Sequence, residues 1–290
     1  MNPSTEPGIP GRRSSSLHLA ALIRLVVFFA VLLAADVGAQ LALGWAFRHA
    51  PKGAADWVAL GGAIVLAAAL IGLYIALVRA MEHRGASELA PRAGRALGGV
   101  LLGAALFATV IGLIHAAGGA ALHGPSARFD LVPMLSAAIL AAVGEELAFR
   151  GGVFRILEES RGTTVALVLS AALFGLMHAL NPGATVVSTA AIAIEAGVLL
   201  GAAYALTRNL WLPIGLHLGW NFTEGGIFGV SVSGGAPGKG AIGVTLAGTR
   251  WITGGSFGPE ASVFAVAVCF AAALVLIAII LRRGTWKPLA

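Results

Sequence analysis

Runs of about twenty apolar residues recur along the whole chain, and they constrain its fold more than any other feature. Candidate spans are Leu19–Phe47, Trp57–Met81, Ala96–Gly118, Val132–Glu159, Thr163–Leu180, Ala184–Thr207, Leu212–Val230 and Ala261–Leu281. A helix crossing a bilayer needs about 20 such residues. Only 11% of the chain is charged, against about 25% in soluble domains. The expected fold is therefore all-α, a polytopic transmembrane bundle of about eight spans with a four-helix core in its second half. The single cysteine, Cys269, excludes an intrachain disulfide framework and a cysteine-based zinc site.

Eight spans place both termini on one side. Thirteen of the nineteen basic residues then fall on the side of the termini and five on the other, with Arg24 inside the first span. By the positive-inside rule the termini are expected in the cytoplasm, and the high Ala and Gly content points to a GC-rich bacterial source, hence an integral protein of a bacterial cytoplasmic membrane. The net charge of +6 is accounted for by this bias and by anionic lipid, so nucleic acid is not an expected partner. The expected organisation is a disordered cytoplasmic tail at 1–18 and N-terminal helices with a charged connection at 19–130. A core of further spans at 131–230, a Gly-rich loop or cap at 231–260 and a last span with a basic tail at 261–290 follow. The first span is too long for a signal peptide and lacks a clear cleavage site.

Polar residues inside the core spans carry the chemistry. Glu145 and Glu146 interrupt the run Leu131–Phe149, where a charge costs roughly 2.5–3.5 kcal/mol to insert. Glu146 and Arg150 are spaced i,i+4, share a face and suit an ion pair, whereas Glu145 points about 100° away. Phe174 lies one turn before His178 and walls that side of a pocket. His217 and Asn221 again share a face. The midpoint of Glu145 and His178 falls in the turn expected at Ser160–Thr163, so an antiparallel hairpin sets them level, each roughly 24 Å from its tip. That tip, with Arg155, Glu158, Glu159 and Arg161, is expected to project beyond the membrane. Pro213 suits the first turn of its helix. Gly197 and Gly201 permit close helix packing. Glu195 is open to pairing with a base, lining the cavity or staying protonated. His115 and His123 are expected to be interfacial.

The order Glu145-Glu146-x-x-x-Arg150, Phe174-x-x-x-His178 and His217-x-x-x-Asn221 resembles the CPBP family of intramembrane proteases. That family holds type II CAAX prenyl endopeptidases and Abi-like proteins of bacteriocin processing and immunity. The likeness covers about Val132–Phe222, and Asn209–His217 resembles the family's lead-in to its last histidine. Glu195 departs from the pattern, standing where an apolar residue is expected. The resemblance implies an intramembrane endopeptidase acting on a membrane-associated protein or peptide, of CAAX-prenylated or bacteriocin-like kind. It implies that Glu145 activates water with His178 assisting, and that Glu146 with Arg150 holds the geometry. A same-face His217/Asn221 pair suits an oxyanion. Glu145, His178 and His217 could hold zinc or another divalent metal, although no His-Glu-x-x-His helix is present, so metal-activated and glutamate-activated water both remain open. Intramembrane Glu and His also serve transporters and proton relays. A non-catalytic membrane scaffold is the third reading.

Overall fold

The computed structural model describes residues 10–51, 53–127 and 129–289. Helices α1 (Pro10–His49), α2 (Ala55–Glu82) and α3 (Ala93–Ala116) precede a short strand, β1 (Ala120–Pro125). Helix α4 (Leu131–Glu146) continues through a π-helical stretch, Leu147–Phe154, into α5 (Arg155–His178). Helix α6 (Val186–Ile192), a π-helical stretch Ala193–Val198 and α7 (Leu199–Thr207) form the next rod. Helix α8 (Trp211–Phe222) ends in a π-helical turn, Thr223–Ile227. Strand β2 (Ile242–Leu246), the short α9 (Arg250–Thr253) and α10 (Val263–Arg282) complete the chain.

The bundle is all-α apart from one short antiparallel pair of strands distant in sequence. Among the described residues six helical stretches are long and apolar enough to cross a membrane: Leu19–His49, Ala55–Glu82, Ala93–Ala116, Leu131–His178, Val186–Thr207 and Val263–Arg282. The difference from eight has two causes. Leu131–His178 is one hydrogen-bonded stretch that folds back at Gly162 and holds two of the expected spans. The expected span Leu212–Val230 is short, because α8 gives way to the π turn around Gly225 and Gly226. Helix α1 already begins at Pro10, inside the segment expected to be a disordered tail, while residues 1–9 of that segment lie outside the described residues.

Gly162 is the hinge of the hairpin. Its φ of +82° is one that glycine adopts without penalty, and a Cβ there would strike the carbonyl of Pro288. The C-terminal tail lies across this hinge. Thr163 donates its N–H to Lys287 O at 3.1 Å, and Lys287 donates its N–H to Thr163 Oγ1 at 3.0 Å. The limbs then run antiparallel, and Phe149 meets Phe174 edge-to-face at 4.9 Å. Such a pair adds about 0.5–1.5 kcal/mol beyond its area.

Charged residues gather at the hinge end of the bundle. Arg155 grips Glu82 with two bonds, at 2.8 and 3.0 Å. Glu88, between α2 and α3, accepts from Arg84 at 2.8 and 3.0 Å and from the Tyr74 hydroxyl. Burial alone would raise the Glu88 pKa, but the hydrogen bonds from Arg84 and Tyr74 outweigh it and hold the carboxyl below its ordinary 4.5. Ionised Glu88 therefore stabilises the fold above pH 4.5, and that contribution disappears as pH falls from 4.5 toward the depressed value. Thermal unfolding in detergent should show Tm dropping over this window, with a shallower drop in Glu88→Gln. Equal slopes in the two proteins would refute the coupling.

At the other end, β1 pairs antiparallel with β2, joining the α3–α4 connection to the long loop expected at 231–260. That loop is an ordered cap. Deep inside the bundle α3 and α8 make the closest helix pair. A Cβ on Gly99 or Gly103 would strike α8 backbone, and one on Gly215 or Gly219 would strike α3 backbone. Gly197 also packs closely, with Ala171 Cα 2.8 Å from where its Cβ would be.

Candidate active site

The hairpin register delivers Glu145 and His178 to one level, where Glu145 Oε2 lies 3.9 Å from His178 Nε2. That is longer than a hydrogen bond, and catalytic contacts commonly tighten only in the reacting complex. His178 Nδ1 sits 2.8 Å from the carbonyl of Phe174. A carbonyl only accepts, so Nδ1 carries a proton, and Nε2 is the nitrogen turned toward Glu145.

Glu146 is fully buried with Arg150, which donates to its Oε1 at 2.9 Å. Arg150 also donates to the carbonyls of Ala196 and Gly197, at 3.1 and 3.2 Å, and lies over the Phe174 ring at 4.6 Å. One guanidinium thus ties the hairpin to the rod behind it. His217 was expected beside Glu145, but its Nδ1 is 3.1 Å from Glu146 Oε1. Glu146 therefore orients the histidine as well as neutralising Arg150, because α8 brings His217 in over the Glu146 face of α4. Helix α8 is itself anchored at its start, where Asn209 donates to the carbonyls of Glu88 and Ala90 at 3.1 and 3.0 Å.

Glu145, His178, His217 and Asn221 all line one cavity of about 390 Å³. Phe174 lies behind it, its ring 4.6 Å from that of His178 and 6.3 Å from that of His217. An apolar groove of about 430 Å³, walled by Leu43, Phe47, Met134 and Leu140, shares Gln40, Ala141, Asn221, Val232 and Gly235 with the cavity. The two spaces therefore adjoin across a shared wall, beside the carboxylate of Glu145.

Sequence reasoning missed Asp36. It is buried in α1, lines the cavity, and accepts from Gln40 at 2.9 Å while its Oδ1 has no partner. Its approach depends on Gly144, where a Cβ would strike the Asp36 carboxyl. The available signal was an ionisable residue within an apolar span. Glu195 pairs with no base among the described residues. Cys269 donates to it at 3.6 Å, and it lines a small void of about 20 Å³ with Glu260, behind His178 and His217. Glu224 is equally buried and has no hydrogen-bond partner at either oxygen. His115 and His123 bond at the β1–β2 end, to Ala120 O at 2.6 Å and Thr245 Oγ1 at 2.7 Å.

Among the described residues no group of three or more His, Cys, Asp or Glu side chains is set to hold an ion. The Nδ1 atoms of His178 and His217 are held by Phe174 O and Glu146, which leaves Nε2 free on each ring, and Glu145 Oε2 lies 3.9 Å from Nε2 of His178.

Comparison with known proteins gave one family. Residues 127–223 match the family model described as Type II CAAX prenyl endopeptidase Rce1-like. No curated protein and no solved structure matches the chain. All seven residues of the three motifs fall inside the matched stretch, whereas Asp36, Glu224 and Glu260 fall outside it. The chain is thus an integral membrane protein that carries, over residues 127–223, a stretch similar to the Rce1-like type II CAAX prenyl endopeptidases.

Proposed function

We propose that this protein hydrolyses a peptide bond of a membrane-associated substrate by carboxylate-activated water. The observation that carries the reading is the meeting of the three motifs around one cavity that adjoins an apolar groove. Glu145 takes a proton from water as its oxygen attacks the carbonyl carbon. Negative charge moves to the carbonyl oxygen, where Asn221 and an imidazolium His217 donate to it, His217 having its other N–H on Glu146. Collapse breaks the C–N bond, and the proton held by Glu145 passes to the leaving amine. His178, with its ring fixed by Phe174 O, keeps Glu145 oriented and accepts from its protonated form. The basic residues gathered at the hinge end favour that end, and both termini, in the cytoplasm.

The test is purified protein in liposomes with a membrane-anchored peptide, the products read by mass spectrometry. Wild type should release a fragment, and His178→Ala should slow release by about 10²-fold, the lower end for a group assisting proton transfer. Cleavage at the wild-type rate in His178→Ala would remove it from the mechanism. A wild type that cleaves no membrane-anchored peptide would overturn the proteolytic reading.

A further inference from the structure

Glu260 is buried in the short turn Pro259–Ala261, outside the family-matched stretch, and joins two elements that meet at the cavity. Its Oε1 accepts from the indole of Trp220, which directly precedes Asn221 on α8, at 3.2 Å. Its Oε2 accepts from Ser233 twice, from the N–H at 2.7 Å and from the hydroxyl at 2.9 Å. Ser233 has a φ of +47°, a conformation that costs a non-glycine residue energy unless its surroundings enforce it. They do: Asn181 donates to Ser233 O at 2.9 Å, and the next residue, Gly234, donates to Phe257 O at 2.8 Å. The pinned segment is the shared wall of both spaces. Val232 and Gly235 line the cavity and the groove, Ser233 lines the cavity alone and Ala236 the groove alone.

We infer that Glu260 is a positioning residue, and that the Ser231–Ala236 segment it pins is the wall that determines which substrate side chains pass from the groove to Glu145. The specificity part rests on the proteolytic reading above. A carboxylate suits the post because it is acceptor-only and has an oxygen for each of the two elements. Glutamine would keep one acceptor and present an N–H₂ group to the other donor.

The test combines an activity-free probe with a specificity measurement. In a Cys269→Ser background, which removes the chain's one native thiol, Val232→Cys is labelled with a water-soluble maleimide. Adding Glu260→Gln should speed labelling about three- to tenfold, the opening expected from losing one such hydrogen bond. The same substitution should narrow, by a similar factor, the kcat/KM ratio between two anchored peptides that differ in side-chain size beside the cleaved bond. The change should fall on KM more than on kcat. A uniform loss of kcat on both peptides would show a merely structural role. Where Glu260→Gln does not fold, Ser233→Ala, which removes only the hydroxyl donor, takes its place with the same expected direction. Labelling at the parent rate overturns the clamp. Faster labelling with unchanged discrimination, in a protein whose wild type cleaves, overturns the specificity role. If the wild type cleaves nothing, the proteolytic reading fails while the labelling arm still decides the clamp.

Discussion

Glu145→Gln should lower kcat/KM by about 10²–10⁴-fold, the range for a general base, and leave the unfolding temperature in detergent nearly unchanged. Its neighbour should behave in the opposite way. Glu145 is partly exposed to the cavity, and its Oε2 makes no hydrogen bond, so an amide of the same shape disturbs no packing. It cannot take a proton from water. Glu146 is fully buried and carries both Arg150 and His217 on one oxygen. Glu146→Gln leaves Arg150 as a charge without a counter-ion in the core, and breaking such a pair costs about 3–5 kcal/mol. Its Tm should therefore fall sharply, with activity lost as a consequence of the fold. Cleavage per folded molecule, set against thermal unfolding, separates the two variants. A stable, active Glu145→Gln would end the carboxylate mechanism. A Glu146→Gln as stable as wild type would mean that Arg150 finds its compensation in the Ala196 and Gly197 carbonyls.

The difference between these neighbours was half legible in the sequence. Helical periodicity alone separates Glu145 from Glu146 and pairs the latter with Arg150. The distances of Glu145 and His178 from the turn fix their common level, and the hinge falls at Gly162 inside that turn. Local spacing does not specify how a distant helix rotates, so the bond from His217 to Glu146 rather than to Glu145 was not readable. Asp36 was hidden for the same reason. A lone acid in the first span signals a task, but only packing of α1 on Gly144 shows that the task lies in this cavity. The order of 231–260 was masked by composition. Its glycines suggest a flexible loop, yet Gly234 and Gly258 take positive φ against neighbouring backbone, so they are fixed by contacts distant in sequence.

Helix rotation about His217 is set by the α3–α8 seam, and bulk there should cost both stability and activity. Gly99 and Gly103 on α3 face Gly215 and Gly219 on α8, one turn apart on each helix, so the two backbones touch without intervening side chains. A Cβ on Gly103 would meet the Leu216 carbonyl and stand 2.7 Å from Trp220 N, and one on Gly219 would meet the Val100 carbonyl. The colliding atoms are backbone, so no side chain can rotate away and the helices must separate. Gly103→Leu or Gly219→Leu should destabilise by about 3 kcal/mol or more, the upper end for overpacking. Folded molecules that remain should cleave about 10²-fold more slowly, because α8 carries His217 and Asn221 and a shift near 1 Å spoils alignment with the reacting bond. Gly98 provides the control. It sits beside Gly99 on α3, with nothing within 4 Å of where an added Cβ would stand, and Gly98→Ala should stabilise by about 0.5–1 kcal/mol through helix propensity alone. Equal Tm values for Gly98→Ala and Gly103→Leu would show that the seam tolerates separation, and would remove close backbone contact as the element that sets the angle of His217.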